Sequence, residues 1–167
     1  MSLAQDIKEL FGGENPAALG RRVRRAGLAA DLTAVATFNI FQVIGGDVML
    51  TGFYGKVTTV IGGGAATLIV THTPTGGAAN AMCATSISIA ADPVNTLYTW
   101  DGTLAGVLEP LGVAGVGVGN NVASFSAGNN IVVPGIIGIA VAVASTGVID
   151  WILHYIPLDT RCRVIAL

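Results

Sequence analysis

The stretch Thr37–Ile61, TFNIFQVIGGDVMLTGFYGKVTTVI, leaves a chain like this few ways to fold. Two apolar runs rich in β-branched and aromatic residues are broken at Ile44-Gly45-Gly46-Asp47. Such residues suit a pleated, half-buried surface, so the pattern predicts a β-hairpin. The same texture of Val, Ile and Thr punctuated by Gly continues almost to the last residue. Strands are expected near 35–44, 47–60, 65–72, 84–91, 95–100, 121–125, 131–133, 136–144, 148–156 and 161–166, between turn clusters such as Gly62-Gly63-Gly64 and Thr73-Pro74-Thr75-Gly76-Gly77. Short strands so punctuated predict an all-β class, an antiparallel β-sandwich or barrel, rather than a βαβ fold. Leu111–Gly119, LGVAGVGVG, reads equally as a flat strand or as a loop.

The first residues read differently. Ser2 with Gln5 has the form of a capping box, and Leu3, Ile7, Leu10 and Phe11 fall at helical spacing before Gly12-Gly13. Pro16–Leu19 begins a second helical reading, with Arg21, Arg22, Arg24 and Arg25 following and Gly27 ending it. The expected organisation is therefore a short helical, basic N-terminal arm over 1–33 and a β-domain over 34–167, which suits a chain of 167 residues.

Charge narrows the function classes. Charged residues make up 11% of the chain, against roughly 25% in an ordinary soluble domain. No Asp, Glu, Lys or Arg falls between Lys56 and Asp92, or between Glu109 and Asp150. A monomer uses charge to keep its sheet edges and faces apart from its neighbours. A β-body this poor in charge is expected to be covered by copies of itself or by a partner.

A membrane is the rival explanation, since Ile131–Ile149 carries no charge over about the length of a spanning helix. Pro134 interrupts that run, and Ile139, Val141 and Val143 alternate with Gly138, Ala140, Ala142 and Ala144. Alternation at period two predicts strand. No basic or aromatic flank anchors it. Met1–Asp6 lacks a basic start followed by an apolar run, so synthesis and folding in a cytoplasm are expected. Cys83 and Cys162 lie far apart without metal-type spacing and read as small buried hydrophobes.

No residue pattern points to catalysis, a cofactor or a metal. His72 and His154 are the only histidines, and neither has a Cys, Asp or Glu at a ligating spacing. No Ser sits in a Gly-x-Ser-x-Gly elbow, and the glycine clusters lack the Lys-Ser/Thr ending of a phosphate loop. Asp92, Asp101, Glu109, Asp150 and Asp159 each lie at or beside a turn, where Asp is favoured for local backbone hydrogen bonds.

Two features read as docking surfaces. Arg21, Arg22, Arg24 and Arg25 could meet phosphates or an acidic protein surface, but no interleaved aromatics supply base stacking, so protein docking is the expectation. Trp151 and Tyr155 stand four apart on one expected strand, which points both rings to one face as a core or subunit-interface anchor.

Two blocks carry a resemblance. Ile44–Gly52 running on to Gly55-Lys56-Val57-Thr58-Thr59, and Trp151–Asp159, with Leu97–Thr103 between them, resemble a pattern in small virion structural proteins of tailed bacteriophages. The resemblance frames most of 37–167 and leaves the N-terminal arm outside. It implies a virion component without enzymatic activity, a capsid decoration or cement protein on the capsid exterior. Its implied partners are further copies of itself, with a trimer favoured, and the major capsid protein, with no specific nucleic acid, membrane or small-molecule substrate. The Gly/Ala alternation of 136–144 would let strand faces approach closely around a threefold axis. The alternative is a tail, neck or fibre-base subunit, or an adhesin holding host glycans on exposed aromatics such as Trp100 and Trp151.

Overall fold

The computed structural model describes residues 20–110 and 130–167. Within them the chain forms β1 (Arg21–Arg25), β2 (Thr37–Ile44), β3 (Val48–Gly63), β4 (Leu68–Pro74), β5 (Asn80–Ala81), β6 (Leu97–Thr99), β7 (Glu109–Pro110), β8 (Asn130–Val132), β9 (Gly135–Val141), β10 (Ser145–Pro157) and β11 (Arg163–Ala166), with a 3₁₀ turn at Ala29–Leu32. The first sheet has the order β1-β10-β3-β6-β7, with β8 also paired to β3. The second has the order β11-β2-β9-β4-β5. All these strand pairs are antiparallel. Neither sheet closes on itself, so the all-β expectation resolves to a sandwich-like pair of sheets rather than a barrel.

Three expectations need correction. Residues 21–25 are a strand, not part of a helical arm: β1 pairs along β10 from Arg21 opposite Tyr155 to Arg25 opposite Trp151. The expected helix over 3–11 lies outside the described residues, as do Leu111–Gly119 and the expected strand at 121–125. Thr37–Ile61 is not a hairpin either. β2 lies in the second sheet and β3 in the first, and the turn between them, with Gly45 at φ +82°, carries the chain across the sandwich. Both strands have an apolar face, and placing them in opposite sheets turns those faces toward each other. Residues 84–91 do not form a strand and end in a turn at 90–91, with Ala91 at φ +66°. They contribute only an isolated bridge, Ala84 to Val107, and single hydrogen bonds such as Ser86 N–H to the Leu68 carbonyl.

The core follows from strand alternation. Ile149, Trp151, Leu153 and Tyr155 of β10 point inward and are buried, as are Phe53 and Val57 of β3. From the second sheet come Phe41 and Val43 of β2, Val70 of β4, and Ile137 and Ile139 of β9. Phe53 is the junction: its ring stacks on Trp151 at 5.4 Å and meets Phe41 and Trp100 edge-on at 6.5 and 6.3 Å. Fully burying each such side chain is worth about 1.5–3 kcal/mol. Gly55, opposite Trp151, makes room for it, because a Cβ there would lie 2.6 Å from the indole. A register shift at Thr51 accommodates one extra β3 residue, which moves the inward set from Val48 and Leu50 to Phe53, Gly55 and Val57.

Candidate functional site

Two surfaces have a composition that the core does not require. The first is the seam where β1, the edge of the first sheet, runs beside β11, the edge of the second, with Cα atoms of the two strands within 8 Å. The hydroxyl of Tyr155, opposite Arg21, accepts the Val164 N–H at 3.2 Å, and Arg25 Nε donates to the Leu167 carbonyl at 3.1 Å. Those two contacts align the strands.

All six arginines of the chain lie on this seam, at Arg21, Arg22, Arg24, Arg25, Arg161 and Arg163. They divide into two groups. Arg25 is buried and pairs with Asp31, donating from Nη2 to Oδ1 at 2.9 Å, and the Asp31 carboxylate also accepts the Leu28 N–H at 2.9 Å. Arg24 pairs with Asp150, its Nε donating to Oδ2 at 3.1 Å, while the Gly27 N–H donates to Oδ1 at 2.8 Å. Burial pushes the Asp150 carboxyl up, but the Gly27 N–H, Arg24 and Lys56 outweigh it and hold the group below the usual carboxylate range. Arg21, Arg22, Arg161 and Arg163 are exposed and have no ion-pair partner among the described residues. The four-arginine docking patch expected from the sequence is thus half consumed by structural pairs.

The expected aromatic docking pair belongs to the core. Trp151 and Tyr155 are 2% and 3% exposed, so neither presents a ring to a partner. Trp100 is equally buried, its indole N–H donating to the Thr103 carbonyl at 2.8 Å, which removes both tryptophans as a platform for sugars. An aromatic pair on the outer face of the first sheet was missed: Tyr54 and His154 stack at 6.1 Å. Burial, and Arg22 opposite it, push the His154 pKa down. The sequence signal was the 50s strand alternation, which sends Phe53 inward and Tyr54 outward.

The second surface is the outer face of the second sheet. Residues directly opposite in antiparallel strands share a face. Thr37 and Ala140, Gln42 and Ile136, Ile69 and Ala140, and Thr71 and Gly138 are therefore outward, opposite to Phe41, Val70, Ile137 and Ile139. Among the paired residues of that face the only ionised side chain is Arg163, at the seam. A Cβ on Gly138 would press on Thr37 and Thr71, whose side chains close over that buried glycine at the centre of the face. The first sheet differs, with Arg22, Arg24, Asp150 and Lys56 on its outer side.

No arrangement for chemistry emerges among the described residues. Among the described residues no three His, Cys, Asp or Glu converge as a metal site. His72 is half-buried, and its Nε2 donates to the Val133 carbonyl at 3.1 Å. Both cysteines are free and buried, Cys83 Sγ accepting the Val70 N–H and Cys162 Sγ–H donating to the Asp159 carbonyl. Asp92 accepts the Tyr98 hydroxyl, and Asp101 accepts the N–H and hydroxyl of Thr103, as expected of turn residues. Ile131–Ile149 forms β8, β9 and the start of β10, and no described helix is long and apolar enough to cross a membrane. Comparison with protein-family models, curated proteins and solved structures finds no match to this chain.

Proposed function

We propose that this chain is a structural virion protein, a capsid decoration or cement protein of a tailed bacteriophage. In this reading it is made in the host cytoplasm and carried on the capsid exterior, where it contacts further copies of itself and the major capsid protein. The observation that carries the reading is the outer face of the second sheet, whose paired residues are small, apolar or uncharged and include no ionised side chain away from Arg163. A face of Ile, Thr, Gly and Ala gains little by staying in water and carries no charge to lose its solvation on contact. A rigid two-sheet body with such a face works by broad, repeated contact rather than by chemistry at one point. Copies that bind the mature shell more tightly than the immature one would stabilise it by that difference in binding.

The test is attachment. Purified protein mixed with empty, expanded capsids is expected to co-sediment in a saturable ratio set by the lattice and to raise the temperature at which the shells fall apart. Shells that neither retain the protein nor gain stability would overturn the reading.

A further inference from the structure

We propose that the arginine seam of β1 and β11 receives the opposite, acid-bearing edge of a second copy of this chain, so that molecules associate head to tail. The inference rests on reading the chain as a self-associating structural protein, and adds which surfaces meet.

Among the described residues the charges gather toward opposite edges, with Lys56 of β3, opposite Leu97, the one cation beside the acidic side. The cationic edge holds Arg21, Arg22, Arg161 and Arg163 without ion-pair partners among the described residues. Arg22 lies on the outer side of the first sheet, Arg163 on the outer side of the second, and Arg21 between them, so the guanidinium groups wrap the seam. At the other edge lies the segment that runs along β3 on the side away from β10, tied there by the Ile61 N–H to the Asp92 carbonyl and the Val57 N–H to the Thr96 carbonyl. That segment holds Asp92 and Asp101 and leads to Glu109 on β7, with no Lys or Arg between them. β7 stands four strand positions from β1, about 19 Å at about 4.8 Å per strand. Among the described residues Asp47 and Asp159, in the turns at one end of the seam, offset part of its charge and leave the four arginines in excess.

Edge strands often carry charge simply to prevent pairing with other sheets. Protection of that kind works with charge of either sign on an edge and does not need the two edges to differ in sign. Here the two edges have opposite sign, which attracts a second copy in one orientation and repels it in the reverse one. Contact between two different surfaces of the same chain is heterologous, and it closes into a ring where the rotation between copies allows. The outer face of the second sheet then stays free on every copy.

The experiment measures mass against concentration by sedimentation, for the native chain at low salt and at about 0.5 M salt, where the screening length falls well below 10 Å. Arg22→Glu with Arg163→Glu removes the seam's charge from the surface. Asp92→Asn with Asp101→Asn neutralises the other edge and keeps oxygen acceptors for Tyr98 and Thr103. The expected result is association at low salt that weakens at high salt, and that is at least about tenfold weaker in either variant, with each variant retaining its β-sheet circular dichroism. A folded seam variant that associates like the native chain, association indifferent to salt, or a native chain that stays monomeric would each overturn the inference. Co-sedimentation with empty capsids is read in parallel. Capsids bound by a chain that never self-associates overturn the head-to-tail contact alone, whereas salt-sensitive association without capsid binding supports that contact and overturns the capsid reading.

Discussion

Arg25 and Asp31 form a buried, two-pronged ion pair, with Arg25 also holding the Leu167 carbonyl through Nε. Six residues apart in sequence, they bend the chain after β1 into the 3₁₀ turn and tie the first sheet's edge to the end of the second's. Removing one member leaves the other charge buried alone. Asp31→Ala is expected to cost about 3–5 kcal/mol. The double change Arg25→Met with Asp31→Leu is expected to cost less than either single removal. Urea unfolding of the three variants checks both statements.

Acid is expected to destabilise the fold in two stages. His154 and His72 have pKa values held below 6.5, chiefly by burial, so the unfolded chain takes up their protons first and stability falls as pH drops below about 6.5. The Asp150 carboxyl is held below its ordinary 3.8 in the folded state, so its contribution is present above that value and is lost as pH falls through the lower, folded one. Thermal unfolding between pH 8 and pH 3 should show both falls. Asp150→Asn should remove the second and leave the first.

Gly55→Ala is expected to destabilise by about 1–3 kcal/mol, because the added methyl meets the Trp151 ring at a distance neither can relax cheaply. Near-ultraviolet circular dichroism should change with it, since Trp151 stacks on Phe53. Equal stability of the two proteins in a denaturant titration would contradict this packing.

Cys83 should resist alkylation in the native state. Burial pushes its thiol pKa up, and little thiolate is present at neutral pH. Modification by iodoacetamide at pH 8 is expected to proceed at the rate of unfolding rather than that of an exposed thiol. Mass spectrometry over a time course, with and without urea, distinguishes the two.

Thr71→Lys places a charge at the centre of the uncharged outer face, on the side away from the core. Its effect on stability should stay within about 0.5 kcal/mol. Capsid attachment should fall at least about tenfold, because the new charge must be desolvated on contact. Binding to empty capsids at the native level would show that this face is not the one used.

Most of the strands were legible because one-sided burial writes itself as alternation. Ile137, Ile139 and Val141 face the core and Gly138 and Ala140 face out, and the period of two is visible without coordinates. What alternation cannot show is which sheet a strand joins. Phe41 and Phe53 look like neighbours across a hairpin, yet they meet through the core from opposite sheets. β1 was hidden for a different reason. Its inward positions are Arg21, Val23 and Arg25, and only an ion pair with Asp31, outside the strand, makes a buried arginine tolerable. The arginine seam was half visible: four of its members are adjacent in sequence, but Arg161 and Arg163 join them only through the fold.

The pairing of β3 with β10 also sets a schedule. Thr58 and Val148, which the sheet brings into hydrogen bond, are 90 residues apart, so β3 has only the short β6 on one side and lacks its long partner β10 until most of the chain has left the ribosome. Until then one whole side of a long apolar strand waits open in a crowded cell, and yield at high temperature or high expression should be limited by that wait more than by the stability of the finished protein.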